Sequence, residues 1–229
     1  MRARDILIAF SLPFILLFVL YFYARGPQVY RPEKSIARMH GGQNLTIVFL
    51  GNSITAGYGE QKNYFYQFRM ILKGTTAFDR TRVINAGVPG NTSADGLVRL
   101  DTDVISQKPD LVYIEFGGND LRNRVPLSEF ENNMRSMVRR IQASGHPDII
   151  LMTLPVFDIP LTKKVLEQYN QVIRKVAKET GVGCLDIYKT FKKEIGWTGS
   201  ASTYMQDDHI HPNEQGHKLI FQQIWRTLE

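Results

Sequence analysis

Cysteine is nearly absent: the 229 residues contain one, Cys184. A single thiol closes no internal disulfide, so packing alone has to hold the fold. In the setting Gly183-Cys184-Leu185 it reads as a small apolar side chain in a strand. Dense runs of one charge are missing too. The net charge of +6 allows an anionic partner, yet no basic tract stands out and no nucleic-acid recognition motif accompanies the charge. Nucleic acid is therefore not the expected partner. Arg135, Arg139 and Arg140 read as the solvated face of an amphipathic helix. No internal repeat and no low-complexity segment is present, and 43% of residues are hydrophobic, which fits one well-cored domain. Asp208, His209 and His211 with His217 have the look of a metal cluster. No second cluster of matching ligands exists elsewhere, so no metal and no cofactor is expected.

Long apolar runs are also scarce, with one exception. Ile6 to Tyr23, after Arg2 and Arg4, is almost wholly apolar over 18 residues. A signal-peptide core is usually ~7–15 residues and a spanning helix ~17–25. No small-x-small cleavage site follows, since Tyr21-Phe22-Tyr23-Ala24 is bulky, and tyrosines suit the membrane–water interface. Residues 1–25 are therefore expected to be an uncleaved signal anchor, with a cleaved signal as the alternative. Arg25, Arg31, Lys34 and Arg38 oppose Arg2 and Arg4 in setting orientation. A short tail before a single anchor still favours a membrane-anchored domain outside the cytoplasm. Residues 26–44, with Gly26-Pro27 and Gly41-Gly42, read as a linker, and residues 45–229 as the domain.

In that domain short apolar runs alternate with helical periodicity. Strands are expected at Leu45–Leu50, Arg82–Asn85, Asp110–Phe116, Asp148–Thr153 and Gly183–Ile187. Helices are expected around Tyr64–Leu72 and over 92–106, opened by a Thr92-x-x-Asp95 capping box. Another is capped by Ser128-x-x-Glu131, with Phe130, Met134, Met137, Val138 and Ile141 inward. Two more follow: one marked by Leu161, Val165, Leu166, Tyr169, Val172, Ile173 and Val176, the last from Glu214 to Leu228. Alternation of this kind gives an α/β fold with a parallel sheet and helices on both faces. Active groups then gather beyond the carboxyl ends of the strands. Ser53, Gly87 and Asn119 follow strands one, two and three, and so share one edge.

A serine hydroxyl needs a base to become a nucleophile. His211 is the candidate base, and Asp208 could accept its other ring proton and fix the tautomer. Charge developing on an attacked carbonyl oxygen needs donors aimed at it. The backbone N–H groups of Ser53 and Gly87 and the side-chain amide of Asn119 are candidates. Each piece has an ordinary explanation: Ser53, Gly87 and Asn119 as turn residues, His211 as a cap, Asp208 as a loop carboxylate. Their common placement at strand ends is what those explanations leave out.

The chain resembles the SGNH hydrolases, or GDSL-like lipase/acylhydrolase family. The resemblance rests on Gly51-Asn52-Ser53-Ile54-Thr55, Asn85-Ala86-Gly87-Val88-Pro89-Gly90, Gly117-Gly118-Asn119-Asp120 and Asp208 to Pro212. All four blocks stand in the family's order, over about residues 45 to 228. It implies a flavodoxin-like three-layer α/β/α sandwich with five parallel strands. It also implies Ser53 as nucleophile, His211 as base and Asp208 as its orienting carboxylate, with Gly87 and Asn119 in the oxyanion hole. Asn52 departs from the family's usual aspartate, which touches local packing or charge and not the reaction class.

The expected function is a serine esterase that cleaves carboxylic esters through an acyl-enzyme. Its candidate substrates are ester-bearing small molecules, lipids and acylated surface glycans. One alternative is O-acyl transfer to a wall polysaccharide. Another, from a different class, is a non-catalytic carbohydrate- or lipid-binding module. Loops at Gly57–Asn63, Asn91–Gly96 and Val156–Pro160 flank the site. Tyr58, Tyr64, Phe65, Phe157, Trp197 and Tyr204 are candidates for its lining.

Overall fold

The computed structural model describes residues 30–159, 162–196 and 199–229. The expected anchor over Ile6–Tyr23, together with Leu161 and Trp197, lies outside them. Among the described residues no helix is long and apolar enough to cross a membrane.

Five parallel strands form one sheet: β1 (Leu45–Gly51), β2 (Thr81–Gly87), β3 (Leu111–Glu115), β4 (Asp148–Met152) and β5 (Gly183–Leu185), in the order β2-β1-β3-β4-β5. The side chains of a strand alternate between faces, and here both faces are covered. Val48, Leu50, Val112, Ile114, Ile149 and Leu151 pack into one apolar layer. Ile47, Phe49, Leu111, Tyr113, Ile150 and Met152 pack into the other. That is why these strands read as continuous apolar runs.

In chain order the helices are α1 (Glu33–His40), α2 (Ser53–Ala56), α3 (Tyr64–Lys73), α4 (Ser93–Val98), α5 (Leu100–Asp103), α6 (Gly118–Arg122), α7 (Leu127–Ala143), α8 (Lys163–Thr180), α9 (Ile187–Ile195) and α10 (Glu214–Arg226). Phe130, Met134, Met137, Val138 and Ile141 of α7 are fully buried against the first layer, beside Leu166, Tyr169, Ile173 and Val176 of α8. Each such side chain contributes about 1.5–3 kcal/mol on burial. The second layer receives Phe68 and Leu72 of α3, Phe191 of α9, and Ile220 and Ile224 of α10.

Several local expectations need correction. The segment 26–44 is not simply a linker. Within it α1 docks at the amino end of the sheet, where Ser35 donates from its N–H and its hydroxyl to Asp148 Oδ2 at 2.8 and 2.7 Å and Ile36 is buried. The docking depends on a carboxylate 113 positions away, which no local pattern announces. Ser128 does not cap α7; the helix begins at Leu127 after Pro126, with no side-chain cap. The stretch 92–106 keeps its Thr92/Asp95 capping box but breaks at Arg99 into α4 and α5. Val165 is exposed, and α9 was not anticipated. Arg139 and Arg140 are exposed as expected, whereas Arg135 is largely covered and bridges Glu131 and Glu179 at 2.6 Å each. Cys184 is partly buried, and burial pushes its thiol up to about 11.

Candidate active site

The order β2-β1-β3 places the topological switch between β1 and β3, where ligands of open parallel sheets bind. Gly51 at the end of β1 pairs in register with Gly87 on one side and Glu115 on the other. The chain then turns through Asn52, whose Oδ1 accepts from Ile54 N–H at 3.0 Å and caps α2. Ser53 is the first residue of α2, so its own N–H lacks an intrahelical partner.

His211 Nε2 lies 2.8 Å from Ser53 Oγ, and His211 Nδ1 lies 2.5 Å from Asp208 Oδ2. Burial pushes the Asp208 carboxyl up, but bonds from the His211 ring and from the N–H groups of His211 and Ile210 outweigh it and hold the group below the ordinary carboxylate range. The loop carrying both residues is tied down independently. Gln206 N–H donates to His211 O at 2.8 Å, Gln206 Nε2 donates to Tyr58 O at 2.9 Å, and Asn213 caps α10. The Tyr58 ring stands 4.9 Å from that of His211.

Asn119 reaches the same edge on α6. Its Nδ2 donates one proton to Asn91 O at 2.9 Å and keeps a second. The next residue, Asp120, is buried and accepts from both the N–H and the hydroxyl of Ser93. That contact locks the loop after β2 to the loop after β3.

Gly87, an expected oxyanion donor, is the last residue of β2. Its N–H is given to Asn85 Oδ1 at 2.9 Å. It is a glycine because a Cβ there would come within 2.3 Å of Ala56 N. Gly90, three residues on, lines the cleft with Ser53, Asn119 and His211. It has φ of +84°, which glycine adopts without strain. Among the described residues its N–H donates to nothing. The spacing of two glycines around a proline did not distinguish them; only the cleft does.

Two hollows meet at Ser53 and His211. One, of about 190 Å³, is walled by Ile54, Leu121, Phe157, Ile159 and Ile210. The other is a wider cleft of about 490 Å³ with Tyr58, Pro89, Gly90 and Arg122 on its rim. Of the aromatic candidates, Phe157 and Tyr58 line these spaces, while Tyr64 is core. No local pattern marks Arg99. Its guanidinium donates to Gly51 O and Ala86 O at 2.8 Å each, clamping the ends of β1 and β2.

The histidines do not converge on a metal. His209 pairs with Asp158 at 3.2 Å, and His217 is buried on α10, where desolvation and the nearby His211 push it down to about 3. Among the described residues no group of three or more His, Cys, Asp or Glu could hold an ion.

The chain belongs to the GDSL-like Lipase/Acylhydrolase family, whose profile matches residues 49–219. It is 30% identical to esterase TesA of Pseudomonas aeruginosa, covering 80% of this chain and 88% of that one. It is 29% identical to thioesterase 1/protease 1/lysophospholipase L1 of Escherichia coli, covering 80% and 83%. The crystal structure of Axe2, an acetylxylan esterase from Geobacillus stearothermophilus, superposes with a TM-score of 0.72 at 28% identity, covering 82% of this chain and 95% of that one. The protein is a hydrolase acting on ester bonds.

Proposed function

We propose that the protein cleaves carboxylic esters through an acyl-enzyme on Ser53. The observation that carries the reading is the unbroken chain from Ser53 Oγ to His211 Nε2 and from His211 Nδ1 to Asp208, at the junction of the two hollows. With the Nδ1 proton held by Asp208, Nε2 is free to accept the serine proton as Oγ attacks the carbonyl carbon. The oxyanion is met by the N–H groups of Ser53 and Gly90 and by the remaining amide proton of Asn119. One donor of this type supplies about 2.7–4 kcal/mol of barrier lowering. Collapse breaks the ester C–O bond, and the departing alkoxide takes the proton from His211. Water then adds to the acyl-serine with His211 again as base, and the acid leaves.

The apolar hollow suits the acyl chain and the open cleft suits the alcohol. Each methylene buried is worth ~0.8 kcal/mol, so extending acetyl to butyryl should raise kcat/KM by roughly tenfold. The test is p-nitrophenyl ester turnover across acyl lengths by wild type and Ser53→Ala. Loss of turnover in the variant, with its unfolding midpoint unchanged and butyrate ahead of acetate, is the expected result. Full turnover by Ser53→Ala defeats the mechanism. A profile that peaks at acetate defeats the acyl-pocket assignment and favours acetylated glycans. An ester product formed on an added saccharide would mark acyl transfer in place of hydrolysis.

A further inference from the structure

One buried ionisable group stands directly behind the nucleophile and takes no part in the steps above. Glu115, the last residue of β3, is 2% exposed. Its Oε1 accepts from Asn52 Nδ2 at 3.3 Å and its Oε2 from Thr55 Oγ1 at 3.2 Å. Thr55 Oγ1 in turn accepts from Tyr64 OH at 2.9 Å. Among the described residues no Lys or Arg pairs with Glu115, so the hydroxyl of Thr55 and the side-chain and backbone N–H groups of Asn52 compensate it for lost water. Burial lifts the carboxyl to about 7, with the bonds from Thr55 and Asn52 opposing that rise.

We propose that Glu115 is a positioning residue for Ser53: it grips Asn52 and Thr55 on either side of the nucleophile and so fixes the turn that aims the hydroxyl at His211. The proposal rests on the assignment of Ser53 as nucleophile. It also accounts for asparagine at position 52. The Asn52 oxygen is committed to Ile54 N–H, so the side of Asn52 that meets Glu115 has to be a donor. An amide supplies one. Aspartate there would set carboxylate against carboxylate, and one of the two would have to hold a proton. Asn52 and Glu115 thus form a matched donor–acceptor pair, although they stand 63 positions apart in the chain.

The test is an exchange of partners. Glu115→Gln sets an amide N–H against Asn52 Nδ2, donor to donor, or against Thr55 Oγ1, whose own proton then loses its acceptor. Above pH 7, where the carboxyl is ionised, its kcat should fall roughly 10- to 100-fold, the scale of losing a hydrogen bond to a charged group, with KM little changed. The double variant Asn52→Asp with Glu115→Gln restores a donor–acceptor pair in the reverse direction and should recover most of the loss. The rate at which a fluorophosphonate labels Ser53 should fall and recover in parallel. A merely structural role would lower the unfolding midpoint without this split between kcat and KM and without rescue. Wild-type kcat and labelling in Glu115→Gln overturn the proposal, as does a folded double variant no better than the single. If Glu115→Gln does not fold, Thr55→Val removes one donor at constant shape, and unchanged kcat there overturns it equally. If wild-type Ser53 resists the label and Ser53→Ala still turns over ester, the nucleophile assignment has failed. If wild type labels and only the Glu115 variants behave as wild type, the positioning role alone has failed.

Discussion

Ser53 and His211 stand 158 positions apart and meet at 2.8 Å, and Asp208 decides what that meeting can do. Its Oδ2 accepts from the histidine ring while Oδ1 accepts two backbone N–H groups at 2.9 Å each. In Asp208→Asn the amide oxygen would keep the backbone bonds, and the amide nitrogen would face Nδ1 as a donor. The imidazole would then carry its proton on Nε2 and could no longer accept from Ser53. We expect kcat to fall about 10⁴-fold with the loop intact, as for the wrong tautomer in a serine triad. Turnover measured beside a heat-denaturation midpoint checks this; a small kcat loss would show that the carboxylate does not set the tautomer.

The loops carrying Gly90 and Asn119 are linked. Asp120, in α6, accepts from Ser93 at the start of α4, and Asn119 donates to Asn91 in the loop between β2 and α4. Two strand ends are thereby held together just where Gly90 and Asn119 face the cleft. Ser93→Ala removes the hydroxyl bond from a buried carboxyl and also the acceptor for Asn133 Nδ2. A loss of about 1–3 kcal/mol in unfolding free energy is expected, together with a lower kcat because the donors lose their common frame. Urea unfolding and turnover on one preparation test both. A variant that loses stability but keeps kcat would show that the clamp serves the fold alone.

Across the whole domain, two buried groups on the same side of the sheet pull stability in opposite directions with pH. Glu115 is raised from 4.5 to about 7, so the native state keeps a proton that the unfolded chain has released, and stability falls as pH rises between those values. His217 is lowered from 6.5 to about 3, so the unfolded chain gains a proton that the native state refuses, and stability falls as pH drops between those values. Between about 4.5 and 6.5 the two slopes oppose each other. Below 4.5 Glu115 no longer offsets the loss, and carboxylates such as Asp186 and Asp208 that native bonds hold low add to it. Unfolding free energy should therefore be nearly flat over that window and decline in acid. His217→Leu removes an imidazole whose two nitrogens find no hydrogen-bond partner among the described residues, and its stability should decline as pH rises from 4.5 to 7. A variant profile parallel to wild type would remove His217 from this account.

Local patterning carried much of this. Strand burial on two faces leaves continuous apolar runs, and inward helix faces repeat every three or four residues, so all five strands and α7 stood out in the chain. The polar blocks at Ser53 and Asn119 were legible because turn chemistry at strand ends is local, and Asp208–His211, in the loop before α10, because its spacing is local too. Gly87 against Gly90, the docking of α1 on Asp148, the Arg99 clamp and the Glu115–Asn52 pair were not legible. Each depends on which atom a remote segment brings within about 3 Å, and such meetings leave no period in the chain. Burial and hydrogen-bond complementarity exist only once the sheet has set its neighbours side by side.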